Sequence, residues 1–325
     1  MCVKKQFIQD TVSILSTQNP HFYYYDHLNF CFTINFQLMI LKPIFLNLYS
    51  LIFFALFNLF ICKSEPAYSQ SGNSIYLKMD YLKVHADATP REYLEIELGE
   101  WRRIHEKRIR LGVTTAWYLY KVFPGTAVPD GDPDYDFITI SVYDNRQLVD
   151  DEGNTEAIYQ SYPGIDLQEL YDKADEVRIF AGSDLWRQKA VISPYTKGKP
   201  VSEFITINYF DTRGGSGEHM ELETEIWRDI HQERIRREIL NSGSLLLLEN
   251  PEDIIRSYDY GTIDYYDSLL HLQEPLSTEL IQSSHPDMNE EDVEKMFERT
   301  GQARVSHKSQ LWRLVDSLHR DSLDD

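Results

Sequence analysis

The feature that most constrains this chain is a repeat. Glu97-Leu-Gly-Glu-Trp101-Arg102-Arg-Ile104-His105-Glu-Lys-Arg108-Ile109-Arg110 returns as Glu223-Thr-Glu-Ile-Trp227-Arg228-Asp-Ile230-His231-Gln-Glu-Arg234-Ile235-Arg236, identical at eight of fourteen positions at a constant offset of 126. A match that includes Trp and His, the two rarest types in it, marks a tandem duplication. The same offset carries Arg178 onto Arg304 and Ser183-Asp-Leu185-Trp186-Arg187 onto Ser309-Gln-Leu311-Trp312-Arg313. Across a shorter loop in the second copy, Tyr135-Asp136 matches Tyr258-Asp259. The units therefore run from about 76 to 200 and from 201 to 325.

Hydrophobic periodicity gives both units one order of elements. It predicts a strand (Leu77–Val84; Glu203–Phe210), a long helix (Pro90–Leu111; Gly217–Leu240) and a strand (Thr115–Val122; Ser244–Glu249). There follow a strand (Phe137–Tyr143; Tyr260–Tyr266), a second helix (Asp166–Val177; Asn289–Thr300) and a closing strand near Ile179–Ile192 or Val305–Val315. This β-α-β-β-α-β order is that of the ferredoxin-like split βαβ, which keeps both helices on one face of its sheet and leaves the other bare. A second copy in the same chain can cover that face. The expected class is α+β, with tandem ferredoxin-like units packed sheet to sheet as a pseudo-two-fold barrel.

On this architecture and the duplicated helix motif, most of Tyr76–Asp325 resembles the dimeric α/β-barrel superfamily. The resemblance implies two units paired within the chain. It leaves the activity open, because the superfamily includes haem-degrading and cofactor-independent monooxygenases, stress-responsive barrels and units of no known activity. The haem-degrading members use an Asn, a Trp and a His ligand. Here Trp101 and His105 share one helix, a different arrangement, so that catalysis does not carry over.

At 100° per residue, Glu97, Trp101, His105 and Arg108 fall within about 80° of one another, on the helix side that should meet the sheet. Glu223, Trp227, His231 and Arg234 repeat the stripe. Arg102, Arg103, Glu106 and Arg110 occupy the opposite, solvated face. As a site, the eight stripe residues would offer aromatic walls, a titratable imidazole and a guanidinium fork suited to a carboxylate or phosphate. As packing, Trp fills volume, His satisfies a backbone group and Glu pairs along the helix rim. Trp186-Arg187 and Trp312-Arg313 carry the same choice between a cation–π shelf and a packing pair between the units.

The run Ile44–Ile61, preceded by Lys42 and followed by the small residues Ala67 and Ser69, reads as a signal peptide over residues 39–69. Cleavage is expected before Gln70, with an uncleaved anchor as the rival reading. Residues 1–38 fit no secretory n-region, so Met39 is the expected start. Cys2, Cys31 and Cys62 all precede Gln70, which leaves no disulfide, thiolate metal site or Cys nucleophile downstream. An exported protein, periplasmic or extracellular, without stable membrane insertion after cleavage is the expected outcome.

The chain carries 32 Lys+Arg against 52 Asp+Glu, a formal charge of −20 with no basic stripe, which argues against nucleic acid as a partner. Asp130, Asp132, Asp134 and Asp136 alternate with the spacing hard cations favour, but Tyr135 and Ser141 stand where an EF-hand places Gly and Glu, and no metal is expected. No phosphate loop, HExxH or nucleophile elbow occurs, and no cofactor is assigned. The function expected from the sequence is binding of a small aromatic or carboxylated ligand between helix and sheet. The alternatives are an oxygenase or isomerase using His105 or His231 as base, and a non-catalytic envelope interaction protein.

Overall fold

The computed structural model describes residues 74–123, 135–150, 153–161, 163, 167–192, 200–213, 215–249 and 256–323. The three cysteines, the expected signal peptide, Asp130, Asp132, Asp134 and Gly214 lie outside these residues.

In the first half, β1 (Tyr76–Val84) leads into a helix in three parts: α1 (Pro90–Ile96), a π-helical turn (Glu97–Trp101) and α2 (Arg102–Arg110). Then come β2 (Ala116–Val122), β3 (Phe137–Tyr143), α3 (Arg146–Asp150), α4 (Gly153–Ser161), α5 (Leu167–Val177) and β4 (Arg178–Ile192). The second half runs β5 (Phe204–Asp211), α6 (Ser216–Glu221), a π-helical turn (Leu222–Trp227), α7 (Arg228–Arg236), β6 (Ser242–Leu248) and β7 (Tyr260–Tyr266). It closes with α8 (Leu269–Leu272), α9 (Thr278–Ser284), α10 (Glu290–Ala303) and β8 (Val305–His319).

Local chemistry explains the helix starts. Thr89 caps α1 by accepting from the Glu92 N–H while the Glu92 carboxylate accepts from the Thr89 N–H, and Pro90 fixes the first φ. Asn289 and Asp292 form the same reciprocal cap on α10. The long helices are not the uninterrupted ones predicted. The Arg102 N–H reaches back five residues to the Glu97 carbonyl, and the Arg228 N–H does so to Glu223. Each bond inserts one wide turn at the same place in both copies.

The strands close a barrel in the order β1-β3-β2-β8-β5-β7-β6-β4, with every neighbouring pair antiparallel. Each half supplies four adjacent strands, β4-β1-β3-β2 and β8-β5-β7-β6. The inward side chains of both halves share one core, and the strands of the two halves also join edge to edge. β4 and β8 are 15 residues each, long enough to pair with their own half at one end and with the other half at the far end. Thus β2 pairs with β8 from Ala116↔His319 to Val122↔Trp312, and β4 with β6 from Trp186↔Leu248 to Ile192↔Gly243. Closure at these seams leaves no sheet edge there for another chain to extend.

Strand alternation then sorts side chains in two directions. Met79, Tyr81, Trp186, Ile207, Tyr209 and Trp312 point into the barrel core. Leu82, Trp117, Leu119 and Phe137 point out, under Tyr93 and Ile109 of the helix. Trp186 stacks on Tyr258 of the other half with ring centroids 5.9 Å apart, and Trp312 meets Tyr120 at 6.2 Å. Of the two readings of the Trp-Arg pairs, packing between the halves is the one the coordinates contain. Arg187 pairs with Glu249, and Arg313 with Glu203 at 2.9 Å, both at the surface side of the strands.

Candidate functional site

Each helix stripe forms a polar network, but Trp101 clusters with Ile158, Leu170 and Ala174, and Trp227 with Leu280, Val293 and Met296, of neighbouring helices rather than with the sheet. In the first copy Arg178 donates to the Glu97 carboxylate at 2.6 Å and lies over the Trp101 ring at 4.8 Å. Burial pushes the Glu97 carboxyl up to about 7, against the pull of Arg178. His105 stacks on Trp117 at 4.7 Å, and Arg108 bridges His105 Nδ1 at 3.2 Å and the Tyr143 hydroxyl at 2.7 Å. A guanidinium only donates, so Nδ1 accepts and the proton of neutral His105 sits on Nε2. Burial, then the Arg108 charge, holds the imidazole well below its ordinary pKa. In this arrangement His105 has no free lone pair with which to act as a base.

The second copy repeats the network with looser burial. Arg304 pairs with Glu223 and covers Phe210 at 3.9 Å, while Trp227 donates to Thr300 Oγ1 at 3.2 Å. Burial raises the Glu223 carboxyl, with Arg304 opposing. Arg234 reaches His231 Nδ1 at 3.4 Å and Tyr266 at 3.0 Å, and it also faces Asp264 at 3.8 Å.

A cavity of about 240 Å³ lies elsewhere, at the barrel end where β1, β2 and β6 begin. Ile75, Leu77, Ile140, Val142, Val191, Pro200 and Val201 form its apolar lining. Tyr118, Tyr120, Tyr265, Gln188, Ser202, Asn241, Ser242 and Ser244 supply its polar groups. None of the eight stripe residues borders it, and among the described residues no charged side chain does. Gln188 donates to Ser244 Oγ at 3.1 Å and Asn241 to Ser202 Oγ at 2.8 Å, which fixes these rotamers. Burial pushes the Tyr265 phenol up to about 12 and the Tyr120 phenol well above its ordinary value, so both stay protonated donors at physiological pH.

The opposite end of the barrel carries a cluster of buried polar groups. Asp184, with no exposed surface, accepts from Tyr81 at 2.8 Å, Tyr258 at 2.7 Å and Arg256 Nε at 2.8 Å. Tyr135 donates to Gln310, and the Lys308 ammonium lies over the Tyr209 ring at 4.3 Å. Neither end was singled out in the sequence. The signal was present: in Ala116-Trp-Tyr-Leu-Tyr120 the outward Trp117 and Leu119 alternate with inward Tyr118 and Tyr120, polar-tipped residues on the supposedly bare face. Among the described residues no group of three or more His, Cys, Asp or Glu is placed to hold a metal, and Asp136 instead accepts from the Val84 N–H.

No protein-family model and no curated protein matches the chain. Solved structures that overlap it include an anthrone oxidase-like protein, at 9% identity and a TM-score of 0.42 over 77% of this chain and 94% of that one. A heme-binding protein from Thermus thermophilus overlaps at 7% identity and a TM-score of 0.42, over 75% and 92%. A mutant chlorite dismutase from Candidatus Nitrospira defluvii does so at 10% and 0.40, over 77% and 93%. At these scores the overlap bears on no ligand.

Proposed function

We propose that the chain is an exported ligand-binding barrel that takes one small, uncharged, ring-containing molecule in the cavity at the open barrel end. The observation that carries this is a cavity of about 240 Å³ whose lining, among the described residues, is uncharged, with phenol, amide and hydroxyl groups set into an apolar wall. Burying a carboxylate there without a cation would cost several kcal/mol, on the order of an unpaired buried charge. A neutral aromatic would bury its rings against Leu77, Ile140 and Val142 and accept from the protonated phenols. The export half of the proposal rests on the apolar run Ile44–Ile61 and the small residues after it, and N-terminal sequencing of the protein recovered from outside the cell tests it.

The fold-level part of the proposal is that each half is a ferredoxin-like unit. Its support is the strand order β4-β1-β3-β2, repeated as β8-β5-β7-β6. The binding part is tested by titrating the protein with 1-aminoanthracene and, separately, with anthracene-9-carboxylate. The neutral probe is expected to brighten saturably and the carboxylate to remain unbound at this cavity. Equal binding of both, or of neither, would contradict the reading.

A further inference from the structure

Within the helix–sheet network the two copies differ at one charge. Arg234 faces the Asp264 carboxylate at 3.8 Å, and the Tyr266 hydroxyl donates toward the same Oδ2 at 3.5 Å. In the first copy Arg108 and Tyr143 take the places of Arg234 and Tyr266, with the same contacts to His and Tyr. The residue in the place of Asp264 is Ser141, which is buried on the outer face of β3 between Lys78 of β1 and Trp117 of β2. Among the described residues Arg108 has no carboxylate partner. It is 9% exposed, and its Nε–H is buried without an acceptor.

Among the described residues the surrounding charges do not supply the missing anion. Glu97 is taken by Arg178 at 2.6 Å, and Asp80 by Lys78 at 3.4 Å. The charges that act on His105 come from Arg108, Arg178 and Lys78, all cations. A guanidinium this buried requires compensation, because an unpaired charge in a low-dielectric site is among the most expensive groups a fold can hold. The chain as a whole is acidic, so the need is local.

We propose that the first copy binds a small carboxylate anion from solution at Arg108, in the place that the Asp264 side chain occupies in the second copy. Arg108 supplies the fixed cation and Tyr143 a hydroxyl. The carboxylate of Asp264 is the built-in likeness of the ligand: same donors, same spacing, but covalently attached. This site is distinct from the barrel-end cavity, and neither proposal depends on the other.

The probe is acetate, titrated at constant ionic strength and followed by tryptophan fluorescence, since Trp117 and Trp101 flank the network. Wild type is expected to respond saturably. Ser141→Asp, which transplants the second copy's counterion, should weaken acetate binding by roughly tenfold or more, whereas Ser141→Asn should keep it. Asp264→Ser should add a second, equivalent site. Inorganic phosphate and chloride, run as separate arms, distinguish a carboxylate site from a general anion site. A non-saturating response, or equal responses in wild type and Ser141→Asp, would overturn the proposal. Should Ser141→Asp unfold, the stoichiometry of Asp264→Ser decides: one acetate per chain contradicts the proposal and two support it.

Discussion

The two copies keep a common frame and differ at particular positions of the barrel and its helices. The helix stripes, the strand order and the inward Trp186 and Trp312 are repeated. Asp184 in one copy stands where the other has Gln310, Tyr118 where it has Ser244, Ile138 where it has Gly261, and Tyr93 where it has His219. A dimer of identical chains must apply each substitution twice about its axis, so it cannot place a large residue on one side of the barrel and a small one on the other. Fusion removes that restriction. The cavity follows from it: Tyr118 and Ser244 line the same space, and a tyrosine at both positions would fill it.

The differences can be removed one at a time. The largest effect is expected from Asp184→Leu, which leaves Arg256 and two phenols without their common acceptor. Breaking such a buried pair costs about 3–5 kcal/mol, read by chemical denaturation. Asp184→Gln, the second copy's residue, should cost less.

His219 gives the pH dependence. Burial, with Arg304 adding to it, lowers its pKa to about 3, so the folded protein keeps it neutral while the unfolded chain protonates it near 6.5. Its influence on stability is flat above 6.5, turns unfavourable as pH falls from 6.5 toward 3, and levels off below that. Melting at stepped pH should show wild type losing a few kcal/mol across this window on account of His219, on the order of 1.4 kcal/mol per pH unit. His219→Tyr, matching Tyr93, should remove that part of the slope.

Gly261 admits the Trp186 ring. A Cβ there would meet Trp186 at 3.3 Å and the Asn208 carbonyl at 3.2 Å. Gly261→Ala is expected to cost about 1–3 kcal/mol by overpacking, again read by denaturation.

Much of this organisation is legible in the sequence. The duplicated helix, the closing strands and the capping boxes are local patterns, and the strand positions follow from alternation. The π-turns at Glu97–Trp101 and Leu222–Trp227 were not, because 100° arithmetic assumes one hydrogen-bond step throughout. The helices α3, α4, α8 and α9 are too short for a periodic signal. The stripe residues announced themselves by recurring, and the structure gives Glu97, Trp101 and Arg108 specific buried partners. Of the cavity residues only Ile140 recurs, as Ile263. What shapes the cavity is that the copies disagree there, a signal that a search for similarity passes over.

The smallest expected change in stability, about 1 kcal/mol for the lost Gln188–Ser244 hydrogen bond, comes from Ser244→Tyr, and it tests the central claim most directly. The stoichiometry of 1-aminoanthracene would be measured by calorimetry on wild type and on this variant. The account predicts one probe per chain in wild type and none in Ser244→Tyr, with the melting temperature nearly unchanged. Two probes per chain, or one retained in the folded variant, would contradict it and would move the ligand to the repeated helix–sheet networks.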